Sequence, residues 1–265
     1  MKRRSLRCGL LVGSVALAVF ACQGQVDVAP WTPTGAVTVY GSSAGGGYVA
    51  RPEGAFLLAP NPPTTDSRSP PDSCVAGGWA PLTIGAVDDL DAGDSIVVTF
   101  DGVPAVLRPV DRYGFNQYVL ARDTVSYVPG AAVSITIPGA VGGFPAATIS
   151  SVMPPAITSV TAVPAQPSTT EPFTVTWGPA GGAEYTFEVL LLYSLEGIDF
   201  DSQVVCSWVD DGEGVIPGEL LQSWADTEFQ RRVEVTRYRT ERQEIGEHVL
   251  FLLTTYDTLP PIPSP

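Results

Sequence analysis

The sequence predicts an all-β chain of two β-sandwich domains behind an N-terminal leader, and three observations predict it. Its 27 glycines and 25 prolines lie between short runs of Val, Ile, Thr and aromatic residues rather than in one block, the distribution of many short strands joined by turns. Within those runs side chains alternate, as where Ile96, Val98 and Phe100 share one face of Ser95 to Phe100, which is the half-buried strand pattern. Pro154 and Pro155 then interrupt the pattern and a new one begins behind them, as at a domain junction.

The leader comes first. Lys2, Arg3, Arg4 and Arg7 precede an apolar run from Gly9 to Ala21 that holds no acidic residue, the charged and apolar regions of a secretory signal. The run is short for a membrane span, which takes about 20 apolar residues, so residues 1–21 are expected to be cleaved. Val19-Phe20-Ala21-Cys22 resembles the bacterial lipobox, where a branched apolar residue and a small residue precede a cysteine. Phe20 departs from the small or polar residue usual there, and Val19 and Ala21 also suit an ordinary signal peptidase cutting at the same bond. The resemblance implies a lipoprotein acylated at Cys22 and held to a membrane by its chains, at about 0.8 kcal/mol per buried CH2. Ordinary processing would leave a secreted chain beginning at the same cysteine. Gln23 stands where an aspartate would favour inner-membrane retention, so the resemblance implies the cell envelope, and the outer membrane if the organism is diderm. Residues 22–34 are polar, contain proline and lack periodicity; they are expected to be a short tether.

Charge narrows the partners. Residues 1–21 carry four of the 14 basic residues and none of the 28 acidic ones, leaving ten against 28, a net charge of −18. Nucleic acid and anionic lipid surfaces are poor partners for such a chain.

Residues 35–152 read as the N-terminal β-sandwich domain. Its strand-like runs are Ala36 to Tyr40, Ala55 to Leu58, Ser95 to Phe100, Ala105 to Leu107, Gln117 to Ala121, Ala132 to Ile137 and Ala147 to Ser150. Asn61 to Pro71 is a proline-rich loop, and Pro129-Gly130 and Pro138-Gly139 bracket a strand as turn signals.

Residues 153–258 form the second domain, with runs at Ile157 to Val163, Phe173 to Trp177, Tyr185 to Val189, Val204 to Val209, Arg232 to Tyr238 and His248 to Thr255. Pro172-Phe-Thr-Val-Thr-Trp177, a Gly/Pro turn and Tyr185-Thr-Phe-Glu-Val189 resemble the second and third strands of a fibronectin type III or related immunoglobulin-like domain. That resemblance covers about 100 residues and implies that Trp177 packs under Tyr185 in the core. The later tyrosine corner of that fold is missing, and Ile216 to Ala225 reads as a short helix or loop. Residues 259–265 are a proline-rich tail, expected to be stiff.

Several residues are candidates for chemistry. With Cys8 in the leader and Cys22 the lipid candidate, Cys74 and Cys206 remain as a disulfide pair for an exported chain. The alternative for Cys206 is a buried small hydrophobe in a strand, with Cys74 exposed after a turn. Asp88, Asp89 and Asp91, and again Asp210, Asp211 and Glu213, combine carboxylates with a nearby glycine. Such loops can offer weak calcium sites, although neither has EF-hand spacing and Asp-Gly turns join strands for local reasons. No other cofactor is expected. Gly41-Ser42-Ser43-Ala44-Gly45 matches the G-x-S-x-G pattern, but three glycines follow where a helix would have to start, so Ser43 reads as part of a glycine turn. His248 is the only histidine, which leaves no multi-histidine metal site. Trp79, Trp208 and Trp224 are candidates for a sugar-binding platform.

The expected function is therefore that of a non-enzymatic, lipid-anchored envelope protein, an interaction or structural module whose partner is an envelope protein or a glycan. The alternative is a surface module that binds carbohydrate, or hydrolyses it with two facing carboxylates.

Overall fold

The structure is a computed structural model and describes residues 32–59, 72–78, 88–112, 115–122, 124–182, 184–197 and 199–260. The leader, most of the expected tether, the loop from Asn61 to Pro71, Trp79 and the last part of the tail lie outside the described residues. The chain is all-β, as the alternation predicts.

Strand β1 (Thr32–Ala44) turns directly into β2 (Gly47–Ala59), with Ala44 opposite Gly47 and both Gly45 and Gly46 at positive φ, 57° and 84°. A two-residue hairpin of this hand needs left-handed backbone at both central positions, which glycine accepts without a Cβ penalty. β1 therefore begins within the segment expected to be tether, and the G-x-S-x-G segment leads into a hairpin rather than a helix. Ser43 pairs with Tyr48 on β2, so the exposed-serine turn of a hydrolase is not built.

The first half continues with β4 (Ile96–Phe100), β5 (Val103–Arg112), β6 (Phe115–Leu120), β7 (Val125–Ser126), β8 (Ala132–Ile137) and β9 (Ala147–Val152). Their antiparallel order is β1-β2-β6-β5-β4-β8-β9, with β7 also on β2. The predicted inward face of β4 is buried, together with Val37, Phe56, Tyr118, Ile135 and Phe144.

The second half holds β10 (Phe173–Thr176), β11 (Thr186–Tyr193), β12 (Ser202–Val209) and β13 (Glu213–Ile216). A 3-10 turn (Gly218–Leu221) and α1 (Gln222–Asp226) follow, then β14 (Arg231–Ile245) and β15 (His248–Thr258). β10 and β13 form a two-stranded sheet, while β12, β11, β14 and β15 run side by side in the large one. Between them lies a second core of Trp177, Phe187, Trp208, Trp224, Val233 and Val235, among others. The run Ile157 to Val163, expected to be a strand, makes only a single bridge, Val160 to Trp177. Pro154, Pro155 and Pro164 on either side fix the backbone and lack N–H groups, which keeps a ladder from extending.

Hydrogen bonding does not respect the junction between 152 and 153. β15 lies parallel to β1, from Thr34 opposite Val249 to Gly41 opposite Tyr256, so the last strand of the second half completes the sheet of the first. In return β3 (Ser73–Gly78), which sits in sequence between β2 and β4, pairs antiparallel with β12. Among the described residues, thirteen strands thus form one continuous sheet. β14 and β15 are long because they serve both cores: Val233 and Val235 face the second, Leu250 and Leu252 the first. β9 folds back onto this hairpin, where Thr254 Oγ1 donates to the Val152 carbonyl at 3.0 Å.

Candidate functional site

Cys22 lies outside the described residues, so the lipidation site has no geometry here. Cys74 and Cys206 stand directly opposite each other on β3 and β12 and are joined as a disulfide. Cys206 is fully buried in the second core and Cys74 packs at its margin. The bond fastens the borrowed strand to the sheet it completes.

The acidic segment after β12 is turned inward. Asp210 is buried and faces Arg237 of β14, itself 1% exposed, with Oδ2 2.7 Å from Arg237 Nε. That Nε contact is ionic rather than an aligned hydrogen bond, whereas Arg237 Nη2 donates to Asp210 Oδ1 at 3.2 Å. Asp210 also accepts from Trp177 Nε1 at 2.6 Å and from the Ala180 N–H at 3.0 Å. Arg237 spends its remaining donors on the carbonyls of Pro155, Ala156 and Gly178. With three donors on its two oxygens and the guanidinium beside it, the Asp210 carboxylate is a buried partner of arginine. Asp211 holds the Glu213 N–H in a turn, and Glu213 starts β13. Gly214 has no side chain because the Trp208 ring occupies that space.

The first acidic segment is also committed to local structure. Asp91 accepts from the Gly93 N–H at 2.8 Å, and Asp89 from the Asn116 N–H at 2.8 Å. The Asp88 carbonyl accepts from Leu58 N–H. These contacts tie the segment to β2 and β6. Among the described residues, no three His, Cys, Asp or Glu side chains converge as a metal cage.

Of the candidate sugar-platform indoles, the two that are described face inward. Trp208 and Trp224 are 5% and 0% exposed, and Trp224 Nε1 donates to the Pro164 carbonyl. Trp177 is in the core as expected, but its ring stacks on Phe187, with centroids 3.8 Å apart and planes 5° from parallel, rather than on Tyr185. His248, opposite Ile245 at the β14–β15 turn, meets the Phe144 ring edge-on.

A concave site does exist on the outward face of the sheet, where β15, β1, β2 and β7 lie side by side. Tyr40 opposes Arg51 and Ser42 opposes Val49, and directly opposed residues share a face. Asp257 follows the inward Tyr256 and so points outward beside them. With Thr124 these side chains line a cleft of about 260 Å³. The Arg51 guanidinium stands 5.4 Å from the centre of the Tyr40 ring and 3.1 Å from a Glu53 oxygen. Gly41 forms the floor, and beneath it are the Tyr127 hydroxyl and the Thr255 carbonyl. None of Tyr40, Ser42, Arg51, Thr124 and Asp257 stands out in the sequence as a site; the only signal is that Tyr40 and Ser42 alternate with inward residues of β1. A second cleft, between Leu195, Ser223, Asp226 and Phe229, lies beside α1.

Comparison with protein-family models, with curated proteins and with solved structures found no match to this chain.

Proposed function

We propose that the chain is a lipid-anchored protein of the cell envelope whose folded part is a rigid, non-enzymatic interaction module. The observation that supports it most directly is the Cys74–Cys206 bridge, because disulfides of this kind persist in exported, oxidising compartments and are rare in the cytosol. The basic and apolar leader ending at Cys22 supplies the route and the anchor. Rigidity follows from the shared sheet, since bending one half against the other would have to break the β1–β15 ladder. Gln23 after the lipid candidate favours the outer membrane in a diderm organism.

Residues 153–258 are read in the same way as a fibronectin type III or immunoglobulin-like sandwich. Supporting this are the neighbouring strands β12, β11 and β14, which share a core with the β10–β13 pair, and the segment around Val160 bridged to the end of β10.

The test is mass spectrometry of the native N-terminal peptide together with membrane fractionation. Acylated Cys22, and release of a Cys22→Ser protein into the soluble fraction, are expected. Wild-type protein found soluble with an unmodified Cys22 would overturn the anchor. Crosslinking in intact envelopes then reads the interaction role, with a partner recovered from the anchored form and lost from the Cys22→Ser form.

A further inference from the structure

We infer that the outward cleft on β15, β1, β2 and β7 binds a single neutral sugar ring, the terminal unit of a glycan. The inference rests on the reading of the chain as an interaction module and gives that module a ligand class. A pyranose presents hydroxyls that both donate and accept, together with a patch of C–H groups. A site for it needs an aromatic surface, an acceptor carboxylate and directed donors in one small concavity. The cleft brings these together. Tyr40, a residue 38% exposed with the Arg51 guanidinium over its ring, offers the aromatic surface; the Asp257 carboxylate, which also takes the Thr255 hydroxyl at 3.1 Å, accepts; and Ser42, Thr124 and Arg51 supply donors.

Size and charge select within that class. At about 260 Å³ the cleft is smaller than the usual pocket for a drug-sized ligand, roughly 300–1,000 Å³, so it suits one ring and not an enclosed oligosaccharide. Arg51 is already paired with Glu53, and Asp257 adds a further negative charge. The local balance and the acidic chain around it therefore disfavour phosphorylated or carboxylated sugars. Among the described residues, no three His, Cys, Asp or Glu side chains gather here as a cation cage.

The placement of the cleft fits this role. It spans strands from both ends of the chain, so it exists only when β15 has docked on β1. Its floor is rigid: a Cβ at Gly41 would lie 2.7 Å from the Thr255 carbonyl oxygen and collide with the Tyr127 hydroxyl.

Saturation-transfer NMR on the purified full-length protein tests the inference. The probes are the methyl glycosides of glucose, galactose, mannose and N-acetylglucosamine, with N-acetylneuraminic acid as the anionic comparison. At least one neutral glycoside is expected to bind saturably in the millimolar range. Tyr40→Ala and the isosteric Asp257→Asn should each weaken it by about tenfold, the effect of one lost contact to a ring or charge. Phe229→Ala in the other cleft should leave it unchanged, and circular dichroism verifies that each variant is folded. Binding that survives both cleft variants, preference for the anionic sugar, or no saturable binding by any neutral glycoside would overturn the site. Membrane fractionation of the cells from which the protein is purified reads the anchor separately, so failure of the cleft and failure of the envelope reading are distinguishable.

Discussion

The two cores of the molecule lie on one sheet and are held in different ways. The first is packed from aliphatic side chains and the Phe56, Phe144 and Tyr118 rings, with Gly35 set so closely against Phe56 that a Cβ would lie 2.6 Å from Cε1. The second adds to its stacked aromatics a disulfide and a buried ion pair, both joining residues far apart in sequence. Close packing is local and responds to volume, whereas a crosslink or ion pair acts at one point and fails at once when a partner is removed. The two regions are thus expected to yield to different insults.

The sharpest way to break the comparison is Asp210→Ala, which leaves Arg237 buried without its carboxylate. A loss of about 4 kcal/mol is expected in denaturant unfolding followed by tryptophan fluorescence, whereas the double replacement Asp210→Leu with Arg237→Met should recover most of it. Replacing both Cys74 and Cys206 by serine should cost about 3 kcal/mol. In hydrogen exchange the protection lost should concentrate on β3 and β12 and spare β4 and β8. A uniform loss would mean that the two cores unfold as one unit. Gly35→Ala is the complementary insult, expected to cost about 2 kcal/mol through overpacking against Phe56, with the exchange pattern reversed.

The smallest effects separate two tyrosines of the first core. Tyr118 accepts from the Ala92 N–H and donates to the Gly93 carbonyl, so Tyr118→Phe should cost about 1.5 kcal/mol. The Tyr127 hydroxyl is buried with no hydrogen-bond partner, and Tyr127→Phe should be neutral or slightly stabilising. Burial raises the pKa of both hydroxyls above the ordinary tyrosine value, as it does for Tyr193 in the second core. The fold favours the protonated form, so this stability is full below about pH 10 and falls as pH rises from there toward the raised folded values. Alkaline unfolding should therefore begin in the first core, and Tyr127→Phe should move its onset upward. An onset unchanged in that variant would assign the alkaline loss to other groups.

Much of this was legible in the alternation of side chains. β4 and β8 stand within a residue of where their pattern puts them, and the break at Pro154-Pro155 follows directly on β9. The misses share a cause, which is pairing over long distance. Ser73–Gly78 follows a turn and has no alternation of its own, and only its partner β12 makes it a strand. Asp210-Asp211-Gly212 has the composition of an exposed acidic turn, while the residue that draws Asp210 inward is an arginine on β14. The cleft was invisible for the same reason, because Asp257 meets Ser42 and Tyr40 only through a parallel ladder between the two ends of the described chain.

That ladder also sets a clock. Contacts of high sequence separation form late and slowly, since the intervening chain must be gathered before they can close. Among the described strands β1 is made first, yet its neighbour on one side is β15, the last of them. A chain emerging from the ribosome therefore carries an unfinished first core until β15 has been made. For an exported chain of the kind proposed above, such postponement is an advantage, because the first core cannot close before the whole segment from β1 to β15 has been gathered.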